Sequence, residues 1–147
     1  ANLGDRLATM RSALHALQLV TRVDATSHVY ATAPVGPPQP DYLNAAALVE
    51  WEGTPEGLLT ELLAIEASLG RVRDGERFGP RTIDLDVLWI EWLSMRSPRL
   101  VVPHPRLTER AFAMVPLLEV APGAADPVTG ERYVAPAGDV RRTAERL

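Results

Sequence analysis

The chain contains neither cysteine nor lysine, so arginine supplies all 15 of its basic residues. Without cysteine, a thiol nucleophile, a thiolate-bound zinc or iron–sulfur centre and a disulfide framework are excluded, as is typical of a reducing cytoplasm. The longest stretch without a charged residue, Ala25 to Pro40, is interrupted by four prolines and cannot form a membrane-spanning helix. The first residues also lack the pattern of a secretory signal. We therefore expect a cytoplasmic protein.

An excess of positive charge is also missing, because 15 basic residues face 19 acidic ones and the net charge is −4. A general binder of polyanions would be basic, so nucleic acid is not an expected partner. The glycine-rich motifs of P-loop and dinucleotide-binding folds and the HExxH motif of zinc proteases are absent as well. The length of 147 residues predicts one domain, residues 1–147, that needs no disulfide or metal for stability.

Hydrophobic periodicity predicts an alternation of helices and strands. Apolar residues spaced three and four apart predict helices over 5–19, 54–70 and 108–118, the second beginning at Thr54-Pro55 and capped by Gly70. Alternating apolar residues predict strands over 23–31, 43–51, 83–90 and 100–102, and the tail predicts a turn at 126–131 and a short helix from Gly138. This order matches the ferredoxin-like α+β pattern βαββαβ without its first strand. We expect that strand to precede Ala1 in the natural protein.

The strongest chemical signal is the pair of acids in Asp84-Leu85-Asp86. In a strand, residues two apart point to the same face, so both carboxylates lie side by side with Cα atoms about 7 Å apart. Two such carboxylates suit a hard divalent cation such as Mg²⁺. A solvated strand face is the alternative, but Leu88 and Ile90 on the same face indicate that this face is mostly covered.

An arginine-rich segment lies directly before the acids and carries Arg71, Arg73, Arg77 and Arg81. Guanidinium groups bind phosphate through paired hydrogen bonds and keep their charge at any working pH. Beside a magnesium site, such a segment is typical of a triphosphate clamp, and Gly75 and Gly79 would let a mobile loop close over a ligand. The alternative is a solvated loop that pairs with its own acids.

Three weaker signals lie elsewhere in the chain. Tyr42 and Asn44 share a strand face, so the ring could stack on a planar heterocycle that the amide reads. Phe112 could add a second aromatic surface, and prolines fix the direction of His104 in Val102-Pro103-His104-Pro105. The alternative is a packed core position for Tyr42 and Phe112 and a turn-stabilising role for Asn44.

Taken together, these segments resemble the hydroxymethyldihydropterin pyrophosphokinases of folate biosynthesis. The resemblance covers residues 2 to about 133, and its most specific string is Gly79-Pro80-Arg81-Thr82-Ile83-Asp84-Leu85-Asp86. It implies a monomeric ferredoxin-like sandwich that transfers a pyrophosphoryl group from ATP to 6-hydroxymethyl-7,8-dihydropterin and releases AMP.

The resemblance also implies a role for individual residues. Two magnesium ions would lie at Asp84 and Asp86, and catalytic arginines would be Arg71, Arg73 and Arg81. The pterin would lie among Thr32, Val35, Tyr42, Asn44 and Phe112, with Tyr42 and Phe112 on its two faces. ATP would lie among Glu66, Arg73, Arg77, Arg99 and His104.

The sequence departs from the family pattern at several positions. Phe78 stands where a tryptophan is usual, and Val101 where a threonine can contact ATP. Glu91-Trp92 replaces a hairpin turn that contains glycine, so we expect a distorted strand end. Two other functions stay open: a nucleotidyltransferase, which would need a Gly-Ser helix start upstream of the acids, and a ferredoxin-like binding module without catalysis.

Overall fold

The computed structural model describes residues 3–33, 41–71 and 83–147. Its described part is a mixed α/β protein with three α-helices and antiparallel sheets. The elements, in chain order, are α1 (Leu3–Val20), β1 (Arg22–Thr26), β2 (His28–Thr32), β3 (Tyr42–Asn44), β4 (Ala47–Glu50), α2 (Pro55–Arg71), β5 (Met95–Arg96), β6 (Val101–Val102), a 3-10 turn (Leu107–Glu109), α3 (Ala111–Val120) and β7 (Val140–Arg146). None of the described helices is long and apolar enough to cross a membrane.

Helices α1 and α2 pack together in a compact unit formed by residues 1–23 and 49–86. Their apolar stripes meet at buried side chains, namely Leu7, Ala13, Leu58, Leu62 and Ile65. The two predicted helices are therefore confirmed. The predicted start of α2 is confirmed as well, because the Thr54 hydroxyl accepts the Gly57 N–H at 3.0 Å. Gly70 is not a cap, since the helix continues to Arg71.

A second unit, residues 24–48 and 87–147, is built on the antiparallel sheet β3-β2-β7. Helix α3 contacts all three of these strands. The core of this unit is a cluster formed by α3, the 3-10 turn before it and the segment after it. It comprises Leu107, Met114, Leu117, Ala124 and Tyr133. The Trp89 indole packs against this cluster and donates its N–H to the Ala125 carbonyl at 2.8 Å.

The strands predicted over 23–31 and 43–51 are each broken in two. The breaks occur at Ser27, which is fully buried, and at residues 45–46. The Ser27 N–H donates to the Ala46 carbonyl at 2.9 Å, and the Ser27 hydroxyl accepts the Ala46 N–H at 2.8 Å. The Ser27 side chain thus takes the place of a backbone carbonyl as the acceptor of the Ala46 N–H. On either side of this break the strands belong to different sheets: β1 pairs with β4, and β2 pairs with β3 and β7.

The helix predicted from Gly138 is wrong, because the tail forms strand β7. This strand pairs with β2 in register from Thr32↔Val140 to His28↔Arg146, with an irregularity near His28. Pairing with a distant strand outweighs local helix preference, which is a weak determinant on its own. Gly138 passes so close to α3 that a Cβ there would lie 2.7 Å from the Ala111 Cβ.

The strand predicted over 83–90 is also wrong, since residues 83–89 join no ladder in the described part of the chain. A strand needs a neighbour to bond its backbone groups, and here two of these groups bond elsewhere. The Leu85 N–H donates to the Glu66 carboxylate, and the Leu88 carbonyl accepts the His104 N–H at 2.8 Å. Ile90 forms only a bridge with Leu93.

The two-residue turn between Ile90 and Leu93 forms although it lacks the glycine of the family pattern. Trp92 has a φ of 62°, a left-handed conformation that costs free energy in any residue with a Cβ. Two other local predictions are confirmed: strand β6, and the turn at 126–131, in which the Asp126 carboxylate accepts the N–H groups of Val128 and Thr129. The third predicted helix begins later than expected, at Ala111, because residues 107–109 form a 3-10 turn.

Candidate functional site

The two acids of the predicted metal site are both exposed, while Leu85 between them is half-buried. The expectation that their face is mostly covered is wrong, because the segment is not part of a sheet. The segment Asp84-Leu85-Asp86 is bound to helix α2. The Glu66 carboxylate of that helix accepts the Leu85 N–H at 2.5 Å. A hydrogen bond to an ionised acceptor is stronger than a neutral one, so Glu66 fixes the backbone that carries Asp84 and Asp86.

The donor set that the two acids offer is of the kind that magnesium takes from proteins. Among the described residues, no three acidic or histidine side chains gather into a metal-binding group. Mg²⁺ is commonly held by one or two carboxylates while water and phosphate oxygens complete its shell. Two exposed carboxylates two residues apart, Asp84 and Asp86, supply what such a site requires from the protein.

Three of the predicted pterin residues share one face of the β3-β2-β7 sheet. Thr32 of β2 pairs with Tyr42 of β3, and Tyr30 pairs with Asn44, so these four side chains lie on the same side. Helix α3, which carries Phe112, contacts both strands. Tyr42 is 54% exposed and Phe112 is 39% exposed, so neither ring is part of the core. The alternative of a packed-core role is therefore wrong for these two aromatics.

A residue that the sequence did not suggest, Arg110, lies over the Phe112 ring. Its guanidinium carbon is 5.6 Å from the ring centroid, within the range of a cation–π interaction. One face of Phe112 thus already has a cationic neighbour. The only signal in the sequence was an arginine two residues before a candidate aromatic.

A polar cluster on the same face of the sheet joins α3 to β2. The Glu119 carboxylate of α3 accepts the Tyr30 O–H at 2.6 Å and the His28 backbone N–H at 3.0 Å, and contacts the His28 ring at 2.7 Å. Burial acts to raise the pKa of Glu119, but the hydrogen bonds from Tyr30 and His28 outweigh it and hold the pKa at about 2. Burial, followed by the hydrogen bond to Glu119 and its charge, raises the pKa of Tyr30 to about 12.

His104 is half-buried and has a defined orientation. Its Nδ1 accepts the Arg106 N–H at 3.2 Å, so in the neutral ring the proton belongs to Nε2. Nε2 is therefore the nitrogen that can donate to a ligand such as a phosphate oxygen. Val101, Pro103 and Pro105 line a cavity of about 380 Å³ beside the β5-β6 hairpin, and the exposed Arg99 lies in the turn of that hairpin.

The remaining predicted site residues lie outside the described residues. They are Val35, Arg73, Arg77 and Arg81, together with the side chain of Arg71. Phe78 lies outside them too, as does the predicted closure of the loop 71–81. The structure therefore describes the acids, the two aromatics, Thr32, Asn44, Glu66, Arg99 and His104 of the predicted set.

Comparison with known proteins gives one consistent family. Residues 1–122 match the family model of 7,8-dihydro-6-hydroxymethylpterin-pyrophosphokinase. A 2-amino-4-hydroxy-6-hydroxymethyldihydropteridine pyrophosphokinase of Methylorubrum extorquens is 47% identical over 125 residues, which cover 83% of this chain and 78% of the relative. The protein of the same name from Synechocystis is 39% identical over 135 residues, covering 90% of this chain and 69% of the relative.

A longer relative contains a similar segment. The mitochondrial folate synthesis bifunctional protein of Arabidopsis thaliana is 40% identical over 131 residues. These residues cover 86% of this chain but only 23% of that protein. The similarity thus extends to a protein in which this segment is one part of a larger chain.

Proposed function

This chain belongs to the 7,8-dihydro-6-hydroxymethylpterin-pyrophosphokinase family. We propose which of its residues bind the metal, the pterin and ATP in the family's reaction. The chain is an ATP-dependent diphosphotransferase of folate biosynthesis. It transfers a pyrophosphoryl group from ATP to 6-hydroxymethyl-7,8-dihydropterin and gives the pterin diphosphate and AMP. The observation that carries this function is the family match over residues 1–122.

Asp84 and Asp86 are the metal ligands in this proposal, and they hold two magnesium ions together with the phosphates of ATP. Support comes from the exposure of both carboxylates and from the Glu66 hydrogen bond that orders the backbone between them. Bound magnesium supplies neutralisation of the charge that develops on the phosphate oxygens. The two carboxylates would hold the metal, and the Glu66 hydrogen bond would keep them in place.

Tyr42 and Phe112 bind the two faces of the pterin, Asn44 reads its edge, and Thr32 and Val35 line the pocket. The shared face of Thr32, Tyr42 and Asn44 and the contacts of α3 with both strands support this assignment for the described residues. The partly exposed rings can stack on a flat heterocycle without first breaking a packed core.

Arginines and one histidine bind the phosphates in this proposal. Arg71, Arg73 and Arg81 stabilise the transferring group, and Glu66, Arg77, Arg99 and His104, with Arg73, surround ATP. The Nδ1 hydrogen bond of His104 supports its role, because it leaves Nε2 as the ring nitrogen that can donate to a phosphate oxygen. The arginine roles rest on the family resemblance.

At the level of the whole chain, residues 1–147 act as one pyrophosphokinase domain with a ferredoxin-like arrangement. The protein works as a monomer in the cytoplasm. The antiparallel β3-β2-β7 sheet with α3 on one face supports such an arrangement.

The products of a single reaction test this function. The protein is incubated with ATP, Mg²⁺ and 6-hydroxymethyl-7,8-dihydropterin, and the nucleotides and phosphates are separated by anion exchange. Equal amounts of AMP and pterin diphosphate are expected. Formation of ADP would indicate a simple kinase, free pyrophosphate a nucleotidyltransferase, and no product a binding module; each of these results contradicts the proposal.

A further inference from the structure

The C-terminal strand β7 lies beyond residues 1–122, the part of the chain that matches the family model. It is nevertheless firmly attached to the sheet that carries the proposed pterin residues. Thr143 donates its hydroxyl to the Val29 carbonyl at 2.7 Å, and the Arg146 guanidinium donates to the Thr26 carbonyl at 3.0 Å. The tail is therefore a structural part of this sheet.

One side chain of β7 reaches across the whole sheet. Arg141 pairs in register with Ala31 of the central strand β2, whose other neighbour is Leu43 of β3. Beyond β2, the Arg141 guanidinium donates to the Asp41 carboxylate at 2.6 Å. Because the side chain of Ala31 is only a methyl group, the Arg141 side chain can extend over the central strand to Asp41.

Asp41 is the residue directly before β3, where Tyr42 begins the strand. Arg141 also lies 3.8 Å from the Asp139 carboxylate of its own segment, so its guanidinium is held between two acids. The hydrogen bond to Asp41 and the charges of both acids raise the pKa of Arg141. The pair thus joins the tail to the residue directly before the strand that carries Tyr42 and Asn44.

We propose that Arg141 is a positioning residue for the pterin site: it holds Asp41, and thereby the start of β3, in the place from which Tyr42 stacks on the substrate. The proposal rests on the proposed function for its substrate. Among the residues that the structure describes, Arg141 forms its hydrogen bond and ion pairs with Asp41 and Asp139 and with no predicted site residue, so it acts through Asp41 and the backbone of β3. An exposed ion pair contributes little to stability, so the melting temperature is expected to stay unchanged, and the positioning role predicts a change in substrate binding.

Steady-state kinetics of Arg141→Ala test this role. The KM for the pterin should rise about two- to five-fold, the range that an exposed ion pair supplies, while the KM for ATP and the melting temperature stay unchanged. Arg141→Lys, which keeps the charge, should recover part of the pterin KM. Arg132→Ala removes an exposed arginine from the same part of the chain and serves as the matched control.

A double-mutant cycle with Asp41→Asn separates the ion pair from other effects of either residue. In the double variant the two effects on the pterin KM should be less than additive, because both changes remove the same ion pair. Additive effects, equal rises in the two KM values, or an unchanged pterin KM in Arg141→Ala would overturn the positioning role. A wild-type protein that forms no AMP would overturn the proposed function instead, and the two failures are thus distinguishable.

Discussion

The Glu66 carboxylate accepts the backbone N–H of Leu85, the residue that separates Asp84 from Asp86. Groups behind a metal site that orient its ligands typically change metal affinity 10- to 100-fold when removed. For Glu66→Ala we expect the Mg²⁺ concentration for half-maximal AMP release to rise roughly ten-fold or more. Glu66→Gln keeps an acceptor oxygen and should show a smaller rise. Glu61→Gln on the same helix is the control, and an unchanged Mg²⁺ midpoint in Glu66→Ala would contradict this role.

Replacement of either acid by asparagine should abolish turnover and leave pterin binding intact, since the charge that holds the metal is lost. Asp86 is exposed, so Asp86→Asn should change the free energy of unfolding by no more than about 0.5 kcal/mol. Single-turnover AMP release, isothermal titration with the pterin and urea unfolding measure the three quantities. Wild-type turnover in Asp84→Asn would exclude Asp84 from the metal site.

Tyr42→Ala and Phe112→Ala should each weaken pterin binding by about 1–3 kcal/mol, by analogy with the stacking of bases on aromatic side chains. ATP affinity should change far less, because these rings are assigned to the pterin alone. Titration with each ligand in turn measures the difference. Val134→Ala, which shortens another exposed apolar side chain, is the control. Equal losses for both ligands would argue against the sandwich.

The Glu119 cluster should make stability fall in acid. Because its folded pKa of about 2 lies below the ordinary value of 4.5, the ionised carboxylate stabilises the fold above about pH 4.5. That contribution is lost as the pH falls from there towards 2. Glu119→Gln should lower the free energy of unfolding at pH 7 by about 1.5–3 kcal/mol and flatten this part of the pH profile. The exposed Glu109→Gln should do neither, and a steep profile in Glu119→Gln would disprove the assignment.

Trp92→Gly should stabilise the protein. Glycine adopts the observed φ of 62° without steric cost, whereas a residue with a Cβ is strained there by about 1–2 kcal/mol. Trp92 is 86% exposed, so little packing is lost with its side chain. Thermal unfolding should show a higher melting temperature with unchanged AMP release, and Trp92→Ala, which keeps the Cβ, should not show that rise.

The sequence predicts the helices well and the sheets poorly, for a physical reason. The spacing of Leu58, Leu62 and Ile65 is a local property, and it determines which face of α2 is buried. Strand pairing is not local: the alternation at 83–89 is real, but no ladder forms there in the described residues. The tail is extended because β2 pairs with it, and no pattern within residues 138–147 indicates that partner.

The candidate site, too, was predictable from the sequence only in its local features. Types and spacing of residues identify the acidic pair and both aromatics. They do not show that the acids are exposed, that Glu66 bonds the amide between them, or that Arg110 covers Phe112. Each of these is a contact between elements, which depends on packing.

The buried hydroxyl of Ser27 has a consequence for how relatives can vary. It serves Ala46 as a backbone carbonyl would, and its own proton goes to the His28 carbonyl at 2.7 Å. Alanine or valine at this position would leave the Ala46 amide without its acceptor, whereas threonine could replace serine. A small hydroxylated residue inside an otherwise apolar alternating run, about 19 residues before the middle one of three consecutive alanines, is therefore a signature by which this double strand break can be sought in other sequences.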